Sequence, residues 1–139
     1  MHEEHKRYPI PLDSEVLVCG EVTHGKRLGR TLGFPTANLP VCAEVSPRHG
    51  IYASIAEIDG MEYYAVSNVG TRPTVDGDHV NCETHIFDFS GDLYGRYVRV
   101  RLIALLRDEM RFSSVEELQR AIRGDVTDAL SFFGKIREQ

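Results

Sequence analysis

Cysteine is scarce in this chain of 139 residues: Cys19, Cys42 and Cys82 are odd in number, widely spaced and form no Cys-x-x-Cys pair. That pattern excludes a disulfide framework and the paired-cysteine layout of a zinc site. Also missing are a secretory signal peptide and any apolar run long enough to span a bilayer. The reading is a reduced, cytoplasmic protein with no membrane partner. Net positive charge is lacking too, and a formal -5 repels phosphate backbones over much of the surface. A general nucleic-acid partner is therefore not expected. No internal repeat or low-complexity tract stands out, and the length is near the commonest domain size. Length and composition fit a single compact domain, and the partners expected are small-molecule substrates of a monomer.

What is present concentrates in Gly25-Lys26-Arg27-Leu28-Gly29-Arg30-Thr31-Leu32-Gly33-Phe34-Pro35-Thr36-Ala37-Asn38. Glycines let backbone N–H groups approach a bulky anion, while Lys26, Arg27 and Arg30 balance its charge. Thr36 and Asn38 add two hard, neutral oxygens with one residue between them. On an extended segment both positions share a side, which suits one Mg²⁺ held jointly with substrate phosphates. The stretch is not a Walker A loop, since no Gly-Lys-Ser/Thr follows a four-residue spacer. From composition alone it reads equally well as an ordinary Gly-rich loop closed by a Pro turn.

Downstream the apolar period is two until about residue 106. Strands are expected over 15–23, 51–58, 61–69, 82–89 and 97–106. Asp59-Gly60 favours a type I′ hairpin between the second and third of these, and Ser90-Gly91-Asp92 reverses the chain between the last two. Short strands with local turns predict an antiparallel sheet, most economically a closed barrel. A long helix then opens at Ser113, with Ser113 and Glu116 at capping-box spacing. Its apolar stripe is Val115, Leu118, Ile122, Val126, Ala129, Phe133 and Ile136, expected to pack outside the barrel. Gly124 weakens its middle and permits a bend or break there. Residues 1–14 read as a polar lead-in, His2 and His5 included, to a single domain over 15–139.

Taken in order, these segments resemble a known family. The run His24-Gly25-x-x-x-Gly29-Arg30-x-Leu32-Gly33-Phe34-Pro35-Thr36-Ala37-Asn38-Leu39 is similar to the signature of riboflavin kinases, in particular the kinase module of bacterial riboflavin kinase/FAD synthetases. Gly50-Ile51-Tyr52-Ala53, Ser67-Asn68-Val69-Gly70-Thr71-Arg72-Pro73-Thr74 and Glu83-Thr84-His85-Ile86-Phe87-Asp88-Phe89 follow in the family's order. So do Leu93-Tyr94-Gly95-Arg96 and Leu106-Arg107-Asp108-Glu109-Met110-Arg111-Phe112, so that the likeness runs from about Val18 to Asp125.

The resemblance implies a mainly β fold, a six-stranded antiparallel Greek-key barrel with one long C-terminal helix packed outside. It also implies Mg²⁺-dependent, or other divalent-ion-dependent, transfer of the ATP γ-phosphoryl group to the riboflavin 5′-hydroxyl, giving FMN and ADP. Glu83 matches the catalytic carboxylate, and Thr36 and Asn38 match the metal pair. Gly25, Arg30, Thr36, Ile86, Asp88 and Tyr94 match nucleotide positions, and Arg107, Met110 and Phe112 match the flavin side. Some relatives carry Lys at the position of Arg30, or a longer polar side chain at that of Met110. The loops 24–36 and 107–113 are expected to move as flaps that exclude water. Bifunctional relatives add an N-terminal nucleotidyltransferase domain, and nothing before residue 15 has that size, so the product expected is FMN. A flavin-binding sensor or carrier on the same barrel is the rival reading, and an unrelated β-barrel interaction module a more distant one.

Overall fold

Asp59 and Gly60 take positive φ values of 52° and 80°, the geometry of a tight primed turn, and Ile58 pairs with Met61 across it. Around this hairpin the computed structural model describes residues 9–21, 36–40, 48–74, 77–93 and 95–137. In chain order the elements are β1 (Ile10–Glu21), β2 (Thr36–Pro40), β3 (Gly50–Ile58), β4 (Met61–Thr74), β5 (Gly77–Ile86), β6 (Tyr97–Asp108) and α1 (Val115–Arg137).

The six strands form one antiparallel sheet in the order β1-β6-β3-β4-β5-β2. Within it β3, β4 and β5 are consecutive neighbours and β6 returns beside β3, which is the Greek-key arrangement. The end strands β1 and β2 also come into contact. Ser90-Gly91-Asp92 therefore does not close a hairpin, because β6 pairs with β1 and β3 rather than with β5. The elements differ from the sequence pattern at several points, and β4 runs on to Thr74, five residues past its expected end. β1 begins at Ile10, inside the expected lead-in, with a register shift between Pro11 and Val16. Strand β5 starts at Gly77 and stops at Ile86, and the five-residue β2 is an additional strand.

Alternation divides the sheet into two faces. One carries the larger core, including Val18, Leu39, Tyr52, Ile58, Val69, Cys82, Ile86, Val98, Val100 and Leu102. Each such aliphatic side chain removed from water stabilises the fold by roughly 1.5–3 kcal/mol. Ser54, Ser67 and Thr84 share this face and satisfy one another through 2.8 Å hydroxyl contacts. The other face receives α1, where Ile51, Ala53, Val66, Phe87, Ala104 and Leu106 pack with Ala129 and Phe133. Tyr64 and Phe133 stack at 4.2 Å.

The helix corrects three expectations. Val115 is 57% exposed and lies off the stripe. The cap sits one residue later: the Glu117 N–H donates to Ser114 Oγ at 3.1 Å, and the Glu117 carboxylate accepts from the Ser113 N–H and hydroxyl. Gly124 does not break the helix, which runs on to Arg137. Intrahelical hydrogen bonds on both sides of one glycine outweigh its entropic penalty of about 1 kcal/mol.

Candidate functional site: a polar row on β5

Strand β5 lies between β4 and β2, and its register brings the candidate residues together. Glu83 pairs with Asn68 on one side and with Asn38 on the other. His85 pairs likewise with Val66 and Thr36. Directly opposed positions lie on the same face, with Cβ atoms about 5 Å apart, so positions 68, 83 and 38 form one row across three strands. The intervening residues Cys82, Thr84, Ala37 and Leu39 are fully buried on the opposite face. A one-residue slip would put Glu83 into that core, so the apolar pattern enforces the row.

Glu83 is partly buried, its side chain 16% exposed, with one carboxylate oxygen 3.6 Å from His85 Nε2. Burial lowers the His85 pKa from 6.5 to about 4, so the imidazole is neutral near pH 7. Glu83 then sits beside a polar, uncharged neighbour rather than a cation. The residue types gathered here are the Glu83 carboxylate, Asn at the position opposite it and Thr at the position opposite His85. These carry hard oxygens of the kind Mg²⁺ selects, and they suit an ion completed by phosphate oxygens and water. Among the described residues no group of three His, Cys, Asp or Glu side chains is assembled to cage a metal alone.

The segment after β6 approaches the same face. Gly70 follows Asn68 by two residues, and a Cβ there would meet Glu109 Oε1 at 2.8 Å. Glu109 also lies 3.5 Å from His49 Nδ1, and Asp108 pairs with Arg48 at 2.6 Å. Gly50 is closed in as well, since a Cβ would come within 2.7 Å of the Arg107 carbonyl. Arg107 donates from Nε and Nη2 to the Asp125 carboxylate at 2.7 and 2.8 Å. Its Cζ stands 5.6 Å from the centroid of the Phe112 ring. Burial raises the Asp125 carboxyl above its ordinary range, and the Arg107 bonds pull the other way. Met110 is 59% exposed.

Among the residues proposed from sequence, Glu83 thus lies in the row with position 38, position 36 lies opposite the neighbouring His85, and Arg107 and Phe112 touch each other. Ile86 is different. It is fully buried in the larger core, on the opposite parity of β5 from Glu83, because Cys82, Thr84 and Ile86 alternate inward. Asp88 is exposed just beyond β5, with φ 58°. Gly25, Arg30, Tyr94 and most of the 24–36 loop lie outside the described residues, as do the side chains of Thr36 and Asn38. Three neighbours escaped sequence reasoning: Asn68, His85 and Asp125. Asn68 was recoverable by counting along the Asp59-Gly60 hairpin, and Asp125 as a carboxylate at a stripe position three residues after Ile122.

The sequence profile of the family described as Flavokinase: Riboflavin kinase matches residues 12–133. The chain belongs to the riboflavin kinase family. Relatives of this family's kinase module include the bifunctional riboflavin kinase/FMN adenylyltransferase of Escherichia coli K12, 45% identical over 118 residues. That match covers 84% of this chain and 38% of the relative, so the chain spans well under half of the longer protein's length. The Bacillus subtilis protein of the same name is 33% identical over 133 residues, covering 93% of this chain and 42% of its own. Among solved structures, a Streptococcus pneumoniae protein named as a macrolide-efflux protein superimposes with a TM-score of 0.70 at 38% identity, over 80% of this chain and 37% of that one. Riboflavin kinase from Trypanosoma brucei gives a TM-score of 0.58 at 22% identity, over 87% of this chain and 81% of that one, and shares the fold. No helix among the described residues is long and apolar enough to cross a membrane.

Proposed function

We propose that this chain is an ATP:riboflavin 5′-phosphotransferase, making FMN and ADP from riboflavin and ATP in the cytoplasm as a monomer. The observation that carries the reading is the row of Asn68, Glu83 and Asn38 across β4, β5 and β2. A base and a metal-binding oxygen pair are needed close together, and the register of β5 with β2 supports that reading for positions 83, 36 and 38.

In the proposed reaction the riboflavin 5′-oxygen attacks the γ-phosphorus as the bond to the β–γ bridging oxygen breaks. ADP departs with that electron pair, and the hydroxyl proton passes to the Glu83 carboxylate. Thr36 and Asn38 hold Mg²⁺ or another divalent ion, which when bound supplies charge neutralisation at the phosphate oxygens. Gly25 and Arg30 cradle the phosphates, and Asp88 and Tyr94 border the nucleotide. Phe112 and Met110 offer the apolar surface on which an isoalloxazine ring stacks. Ile86 contributes to the nucleotide site through its main chain and by fixing the parity of β5.

Purified protein incubated with riboflavin, ATP and Mg²⁺ should yield FMN, resolved from riboflavin by chromatography. Flavin binding with no FMN formed would replace this reading with that of a carrier.

A further inference from the structure

We propose that Asp125 is a positioning residue of the acceptor site, holding through Arg107 and Phe112 the segment on which the flavin ring rests. The inference rests on the reading of the chain as a riboflavin kinase.

Asp125 interrupts the apolar stripe of α1 and is 3% exposed, on the same buried side of the helix as Ile122 and Ala129. Stability alone gives no reason for a carboxylate there, because replacing a buried ion pair by well-packed apolar groups is often neutral or favourable. Its geometry gives one. Both carboxylate oxygens accept from Arg107, at 2.7 and 2.8 Å, which fixes the plane of the guanidinium as well as its position. The third nitrogen, Nη1, donates to the Asp108 carbonyl at 3.2 Å. All three nitrogens of Arg107 are thus engaged within the chain, and the guanidinium is set near the face of Phe112. The main chain at Arg107 is held separately, by its close approach to Gly50.

Arg107 therefore acts less as a ligand for the flavin than as a strut between helix and loop. Phe112 lies one residue before the Ser113–Glu117 cap, so the start of the helix and the strut together set the height and tilt of its ring. With Asp125 neutralised, the guanidinium loses the plane that orients it and Phe112 loses a fixed neighbour. The nucleotide side, built on β5 and β2, is left alone.

The test compares Asp125→Asn, Arg107→Ala and the double variant in steady-state kinetics, varying riboflavin and ATP separately, with thermal unfolding followed in parallel. Asp125→Asn should raise the riboflavin KM about tenfold while the ATP KM stays within about twofold. The double variant should be no worse than Arg107→Ala, because both changes break one unit, and Asp125→Glu should recover part of the loss. Equal rises in both KM values, an unchanged riboflavin KM, or additive effects would overturn the assignment. A wild-type protein that forms no FMN would defeat the proposed reaction instead. Riboflavin fluorescence quenching by the same variants would then decide the role of Asp125, with about tenfold weaker binding by Asp125→Asn expected and equal binding refuting it. Wild-type protein that binds no flavin would overturn both.

Discussion

The outer face of the sheet has two halves that share strands β4 and β5 and differ in what covers them. Under α1 stand Tyr64 and Val66 of β4 and Phe87 just past the end of β5, sealed by Ala129 and Phe133. Further along stand Asn68, two residues past Val66 and opposite Ile51 of that cluster, and Glu83, four residues before Phe87 and opposite Asn38 of β2. His85 sits at the border, buried yet polar. The sealed half holds the sheet in register, and the open half uses that register to place chemistry. A buried, rigid neighbour is what lets a polar row keep its geometry without being buried itself.

Four experiments sharpen or break this contrast. The largest effect expected is on the open half, where Glu83→Gln should lower kcat about a thousandfold, on the order of 4 kcal/mol, without loss of stability. Retained turnover would remove Glu83 from the reaction. On the sealed half Phe133→Ala should lower unfolding free energy in denaturant by about 3–4 kcal/mol. Turnover per folded molecule should stay within about twofold, and a selective loss of catalysis would mean that the halves are not separable.

At the border, His85 makes stability depend on acid. The unfolded chain takes up its proton near 6.5 and the folded one only near 4. Between those values the unfolded state binds more protons, so stability falls as pH falls from about 6.5 to about 4 and is complete above that window. The loss should be on the order of 3 kcal/mol, read as unfolding midpoints across pH and reduced in His85→Gln. The smallest change is expected at Gly124, where a Cβ meets nothing within 4 Å. Gly124→Ala should stabilise the helix by about 1 kcal/mol and leave both KM values unchanged.

The degree to which these halves were legible in the chain follows from the range of the forces involved. Period-two alternation marked β3, β4 and β6, and the positive-φ preference of Asp59-Gly60 joined the first two. Strand β2 offered little signal, since Ala37 and Leu39 are the only apolar residues of its five and prolines flank them. The first part of β1 was obscured in the same way by Pro9 and Pro11. Two serines followed closely by two glutamates gave the capping spacing at both Ser113/Glu116 and Ser114/Glu117, and only the helix start chose the second. Glu83, Thr36 and Asn38 were found through their motif context, whereas Asn68 and Asp125 acquire meaning only from their neighbours.

By itself the sequence determined the residue types, the local turns and, through alternation, which residues of each strand travel together to one face. Those are properties of backbone sterics and the two-residue pleat, and they act within a few residues. The tertiary structure alone decided that β6 returns beside β3, that β5 runs between β4 and β2, and that α1 lands on one half of the outer face. Such choices depend on burying apolar surface contributed by distant segments against the entropy of closing the loops between them. No window of the chain carries that balance, and the row through Glu83 exists only once it has been struck.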